Sequence, residues 1–289
     1  MKSTFIVAAF TVTLLAAFSS SAQQLYITNE GHADIQLLNL NTSALSVIYT
    51  IGVGKDFNPD DLTLNAAGQL IYSVPVTGNV NLYDPKAGTN TLLTNVRGAR
   101  DLEIEPGGAT MLIAGNAAPA EIVRYTFATG QTSVLFPKTK GITNMNGISY
   151  DNFGNLYAIM NRNTVVQLNP TTGAVISTLV LEPLDGVNGG DGLTFDTYTG
   201  ALWASHDGKN LGTGLIEIPV QASGFTPSGY YFYPLPAIGN VDGIKSDGKG
   251  NLYVAAIHTT LEYNIPTQKM TRNLVTDGAD GVSLVPGTY

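Results

Sequence analysis

The chain has no cysteine, one tryptophan, three histidines and few charged residues, 12% in all. Without cysteine there is no disulfide framework, no thiolate nucleophile and no cysteine-held zinc. Basic residues are scarce too: 14 Lys and Arg stand against 22 Asp and Glu, a formal charge of −8. That sign argues against nucleic acid and anionic lipid as partners, since both draw on clustered Lys and Arg. There is no convincing amphipathic helix and no Gly-rich phosphate loop ahead of one. Neither His-Glu-x-x-His nor Gly-x-Ser-x-Gly occurs. Only one apolar run is long, Phe5 to Phe18, and it lies between Lys2 and Ser19-Ser20-Ser21-Ala22. It is shorter than the roughly 20 residues of a membrane span. A basic start, an apolar stretch and small residues at its end describe a signal peptide over residues 1–22, cleaved after Ala22. The remaining chain, residues 23–289, is expected to be exported, extracellular or periplasmic according to the cell, with no membrane attachment.

Glycine is plentiful, at 32 residues, and 14 tyrosines are scattered along the chain. That composition suits many short strands joined by tight turns. One strand-forming unit recurs: an Asp or Asn, then Gly or Asp, an aliphatic residue, a turn and a second apolar strand. It reads DDLTLNAAGQLIYSV from Asp60, RDLEIEPGGATMLIAG from Arg100 and NGISYDNFGNLYAIM from Asn146. It returns as DGLTFDTYTGALWAS from Asp191, DGIKSDGKGNLYVAA from Asp242 and a truncated DGVSLVPG from Asp280. Counted at Asp61, Asp101, Gly147, Gly192, Gly243 and Gly281, the spacings are 40, 46, 45, 51 and 38 residues. A four-stranded propeller blade uses about 40–50 residues, so each repeat is one blade. The sixth repeat stops after one strand, while the N-terminus supplies three strands with no partner. The sequence therefore predicts an all-β, six-bladed β-propeller of four-stranded antiparallel blades. The C-terminal strand joins the three N-terminal strands to close the ring, in a single domain over residues 23–289. Closure removes edges that would template aggregation, and the chain is expected to be a monomer.

The phase of the repeat brings its opening residues, Asp60, Arg100, Asn146, Asp191, Asp242 and Asp280, to one mouth of the central channel. The ends of the second strands arrive at the same face: Asn29 or Glu30, Asn116, Asn161, His206 and His258. Four converging carboxylates repel one another, and Arg100 alone cannot neutralise them. Raised pKa values, a bound cation or screening water are the alternatives. Oxygen ligands of this kind suit Ca2+ or Mg2+. Such an Asp can equally bond backbone amides of the neighbouring blade. Asp151 and Asp247 fall in hairpin turns at the opposite face, where turn chemistry explains them. The Tyr230–Tyr233 segment either packs a blade or lines the mouth.

At these residues the chain resembles the gluconolactonase and senescence-marker-protein (regucalcin) family, within the wider group of NHL-like propellers. VDGIKSDGKGNLYVAAIH resembles the family's Pro-Asp-Gly blade, which implies a metal ligand at Asp242. NGISYDNFGNLYAIMN resembles the Asn-Asp-Gly blade and implies a substrate- or metal-facing Asn146. DGLTFDTYTGALWASH resembles the Asn-Gly-Leu blade, with Asp191 in place of Asn. Asp60 stands where the family has a Glu. Both replacements keep oxygen ligation, and Asp191 in place of Asn raises the negative charge. The resemblance implies a metal-dependent hydrolase of a lactone or similar small cyclic ester, with Ca2+ or Mg2+ on Asp60, Asp191 and Asp242. Arg100 would orient the substrate and receive a developing oxyanion, and His206 or His258 would serve as general base. Asn146, Asn116, Asn161 and Asp280 would contact the substrate. A metal-independent lyase or cyclase, or a non-catalytic ligand-binding propeller, remains open on the residues alone. The loops 183–190 and 208–214, which would select the ligand, carry no recognisable code.

Overall fold

A computed structural model describes residues 23–181, 190–208, 212–236 and 239–286. The expected signal peptide and most of the two ligand-selecting loops lie outside them. Six antiparallel sheets surround one axis. Blade 1 pairs Ala279–Leu284, Gln24–Asn29, Asp34–Asn39 and Ala44–Thr50 in that order, so the C-terminal strand closes the ring as expected. Blade 2 runs through Leu62–Leu64, Leu70–Val74, Asn79–Asp84 and Thr89–Asn95, and blade 3 through Ala99–Ile104, Thr110–Gly115, Glu121–Thr126 and Gln131–Phe136. Blade 4 comprises Met145–Tyr150, Leu156–Met160, Thr164–Leu168 and Val175–Val180. Blade 6 comprises Val241–Ser246, Asn251–Ala256, Thr259–Asn264 and Lys269–Val275.

Blade 5 departs from the four-stranded expectation. After Gly190–Asp196 and Ala201–Gly208, its third strand, Gly212–Gln221, is long enough to pair with two later segments. Tyr231–Pro234 completes the blade, and the short Gly224–Phe225 strand folds back on the far end. There Phe225 meets Tyr157 of blade 4 at 5.3 Å between ring centroids.

The core lies between blades, because alternate residues of each strand face opposite neighbours. Leu112, Ala114 and Ile122 of blade 3 pack on Met145, Ile148 and Leu156 of blade 4. Trp203, fully buried, packs on Tyr233 at 5.3 Å in the layer between blades 5 and 6. The Tyr230–Tyr233 segment therefore packs a blade. At the opposite face, Asp151 Oδ1 accepts the amides of Phe153 and Asn155, and Asp247 Oδ1 accepts those of Lys249 and Asn251. These are turn caps, as their sequence predicts.

Candidate functional site

Five of the six inner strands slip out of register where they begin. The slips fall between Ala99 and Leu102, Asn146 and Ile148, Gly190 and Leu193, Val241 and Ile244, and opposite Ala279 and Val282, while Leu62–Leu64 of blade 2 pairs in regular register. An extra residue in one strand bends it and re-aims a side chain. Here the bulges carry the opening residues of five repeats to the axis. Asp60, Arg100, Asn146, Asp191, Asp242 and Asp280 line one small cavity of about 20 Å³, room for about one water molecule.

The residue after each opening residue fixes the ring. Gly192 and Gly243 let successive inner strands approach closely. A Cβ on Gly192 would lie 2.7 Å from the Asp242 carbonyl, and one on Gly243 would lie 2.6 Å from that of Asp280. Asp61 and Asp101 fill the same position in blades 2 and 3 and reach across instead. Asp61 accepts the Leu102 amide at 2.9 Å, and Asp101 accepts that of Ile148. The amide-bonding role that sequence allowed for the ring Asp residues thus belongs to their successors.

Three hydroxyls clasp neighbouring blades together. Ser73 receives the Asp61 amide and donates to the Arg100 carbonyl at 2.6 Å. Ser205 receives the Gly192 amide and donates to the Asp242 carbonyl at 2.5 Å. Thr28 receives the Gly281 amide and donates to the Asp60 carbonyl. Each such bond contributes about 1 kcal/mol, and together they hold the backbone behind three ring residues. The hydroxyls hold one repeat position, where the other blades have Ala114, Ile159 and Ala255. Sequence alignment of the repeats could have found them.

One tier lower, the third residue after each opening residue is Thr63, Glu103, Ser149, Thr194, Lys245 and Ser283. Glu103 and Lys245 come from blades 3 and 6, on opposite sides of the axis, and their charged groups meet at 3.7 Å. Burial pulls the Lys245 ammonium down, but Glu103, Asp61 and Asp101 outweigh it and hold the group charged. The pair crosses the channel below the ring. The mouth is accordingly a cup with a floor, and a ligand enters and leaves by the same face.

The cup is crowded with negative charge. Arg100 Nη1 bonds Asp60 Oδ2 at 2.6 Å, and Asp242, Asp280 and Asp191 also favour its charged form. Burial pushes the Asp60 carboxyl up and Arg100 pulls it down; the nearby Asp242, Asp61 and Asp191 tip the balance upward. Asp191 is pushed up to about 6, first by burial and then by Asp242, against the pull of Arg162 and Arg100. Asp280 is raised well above the ordinary carboxyl value by burial and by the neighbouring Asp242 and Asp60 carboxyls, which favours its protonated form. Asn146 Nδ2 donates to Asp191 Oδ1.

Each carboxylate expected to hold a metal has a neighbouring partner here: Asp60 bonds Arg100, Asp191 accepts from Asn146 Nδ2, and Asp242 lies against Asp280. The donor chemistry suits Ca2+ or Mg2+, while among the described residues no group of three His, Asp or Glu side chains is arranged to hold an ion. The Asp60, Asp191 and Asp242 ligand set therefore stands as an expectation from the resemblance.

Of the remaining candidates, His206 is 1% exposed and meets Phe232 edge-on, with centroids 5.6 Å apart. It alternates with Leu202 and Ala204, which belong to the layer between blades 4 and 5. A side chain so enclosed cannot reach a substrate, contrary to its expected role as base. His258 is open, its ring 71% exposed and 3.3 Å from the Asp277 carboxylate. It borders a cavity beside the cup. Asn161 accepts from Thr143 and donates to the Gly141 carbonyl, so it braces a loop. Neither Asn161 nor Asn116 borders the cup. Asp207, Asp277 and Arg162, near the cup, were not singled out by sequence, because they sit in loops or at strand ends outside the repeat pattern, whereas Glu30, which the repeat brought to the mouth without a role, does border the neighbouring cavities.

No family model and no curated protein matches the chain. Solved structures match its fold. A chain of a nidogen/laminin complex superimposes with a TM-score of 0.75 at 16% identity, covering 92% of this chain and 100% of that one. A streptogramin B lyase gives 0.62 at 13% identity, covering 93% and 92%. A calcium-binding regucalcin from Agrobacterium tumefaciens gives 0.59 at 16% identity, covering 91% and 89%. At such identities the likeness establishes the six-bladed propeller and leaves the chemistry to the site.

Proposed function

We propose that this protein is an exported hydrolase of a lactone or a similar small cyclic ester, which lies over the mouth of the acidic cup. The observation that carries the reading is the placing of Asp242, the buried Asp280 and the Arg100 guanidinium around one cavity, with the Asp280 carboxyl pushed toward its protonated form by burial and by Asp242. Two carboxyls so placed supply an acid and a base together near neutral pH. The Asp242 carboxylate takes a proton from water as its oxygen adds to the ester carbonyl. The C–O bond of the ring breaks, and Asp280 gives its proton to the departing oxygen. The guanidinium of Arg100, with Nη1 held by Asp60, lies where it can stabilise the oxyanion that forms. Asn146 orients Asp191, and Asp60 adds to the negative field that keeps Asp280 protonated.

A panel of five- and six-membered lactones, assayed by release of the hydroxy acid, tests this. Wild type should turn over at least one of them, and Asp280→Asn should lower kcat by about a hundredfold or more without lowering the thermal midpoint. Unchanged turnover in Asp280→Asn would remove the acid pair from the mechanism.

The exposed His258–Asp277 pair favours one second reading, a lyase in which His258 abstracts a proton and the ester opens by elimination. Reaction in 18O-labelled water separates the two. Hydrolysis places the label in the product acid, whereas elimination leaves the product unlabelled and is lost in His258→Ala.

A further inference from the structure

The cup is floored below but open at one side of its rim. Three larger cavities lie along the same face and share walls. One of about 250 Å³ stands over the cup between Arg162, Asp191, Asp207 and Asp242. A second, of about 420 Å³, lies where Ile257 and His258 face Asp277. The third, of about 490 Å³, continues past Val53, Lys55 and His32 in the loops of blade 1. Glu30 borders all three, Asp242 and Asp280 border the first two and the cup, and Asn58 links the second to the third. Together they form a groove leading away from the cup, and each outer cavity alone is in the size range of a small-molecule site.

A single lactone ring over the mouth of the cup would leave this groove empty. Its walls describe what else the ligand carries. Glu30 is exposed and has no bonded partner among the described side chains, while the neighbouring Asp277 carboxylate is held by His258. Among the described residues the second cavity is bordered by Glu30, Asp242, Asp277 and Asp280 and by no Lys or Arg, whereas Arg100 and Arg162 border the first cavity and Lys55 the third. Apolar surface follows: Ile257 is 45% exposed and Val53 is 91% exposed. Exposed aliphatic side chains along a cleft mark a place where apolar ligand surface is covered.

We propose that the substrate is an elongated ester bearing an ammonium group, with the ester over the mouth of the cup, the ammonium against Glu30, and an apolar remainder over Ile257 and Val53. The inference rests on the cup being the reacting end. Glu30 is the residue that selects for the positive charge, and Ile257 selects for the apolar body without regard to charge.

Binding of hexylammonium and of 1-hexanol, measured separately by calorimetric or NMR titration, tests the groove without any turnover. The two share an apolar chain and differ in charge. Hexylammonium should bind wild type about fivefold or more tighter than 1-hexanol, and Glu30→Gln should abolish that preference. Ile257→Ser should weaken both probes alike. Equal binding of the two probes to wild type, or a preference that survives Glu30→Gln, overturns the groove assignment even if lactones are hydrolysed. A preference that obeys these rules in a protein that opens no ester supports the groove and overturns the reading of the cup.

Discussion

Replacing Asp191 by Asn removes one negative charge from the cup and keeps an oxygen for Asn146 Nδ2 to bond. In the wild type the Asp191 carboxyl stands at about 6 against an ordinary 3.8, because burial and Asp242 penalise its charge. A difference of that size corresponds to about 3 kcal/mol of stability lost once the group is ionised. Water entry and side-chain relaxation reduce this, so roughly 1.5–3 kcal/mol is expected. The sign is fixed by linkage: a carboxyl raised in the folded state binds protons more tightly there than in the unfolded chain. Wild-type stability therefore falls as the pH rises from about 4 to about 6 and stays low above that. Asp191→Asn lacks this loss. Thermal unfolding at pH 4, 6 and 8 should show the variant equal to wild type at pH 4. At pH 8 its midpoint should be higher by about 4–10 °C, since 1 kcal/mol is worth roughly 2–4 °C in a domain of this size. A variant less stable than wild type at pH 8, or a difference independent of pH, would refute the crowding argument. Gain of stability with loss of turnover would be the expected signature of a charge kept for function.

Two further outcomes follow from the same electrostatics. Lys245→Met leaves Asp61, Asp101 and Glu103 buried without their cation and should cost about 3–5 kcal/mol by urea unfolding at pH 7. Adding Glu103→Gln to it should recover part of that loss, and a neutral Lys245→Met would contradict the cross-channel pairing. Calcium or a chelator should move the thermal midpoint by less than about 1 °C, because saturating binding at a specific site would raise it by several degrees. A calcium-induced rise that Asp242→Asn removes would return Asp60, Asp191 and Asp242 to the role of metal ligands.

The repeat carried most of the architecture. Its period set the blade, its count set the ring, and a lone C-terminal strand facing three unpartnered N-terminal strands set the closure. Its phase also brought the six opening residues to one mouth, where the inner-strand bulges turn five of them to the axis. His206 was readable and misjudged: period two from Leu202 and Ala204 already assigned it to the layer between blades. Blade 5 was harder, because nothing local in Gly212–Gln221 distinguishes a strand that pairs twice from one that pairs once.

What the sequence determined by itself was therefore every property that repeats: strand period, blade number, closure, and which residue of each blade reaches the mouth. Only the tertiary structure decided which charges meet. Arg100 chooses Asp60 beside it, Asp280 lies against Asp242, and Glu103 finds Lys245 across the axis, 142 residues away. Strand patterns are local and follow from backbone geometry, whereas ion pairs depend on distances across a closed ring. Those distances exist only once six blades have packed, and they make a ring of acids into a floored cup whose buried carboxyls are pushed toward their protonated forms.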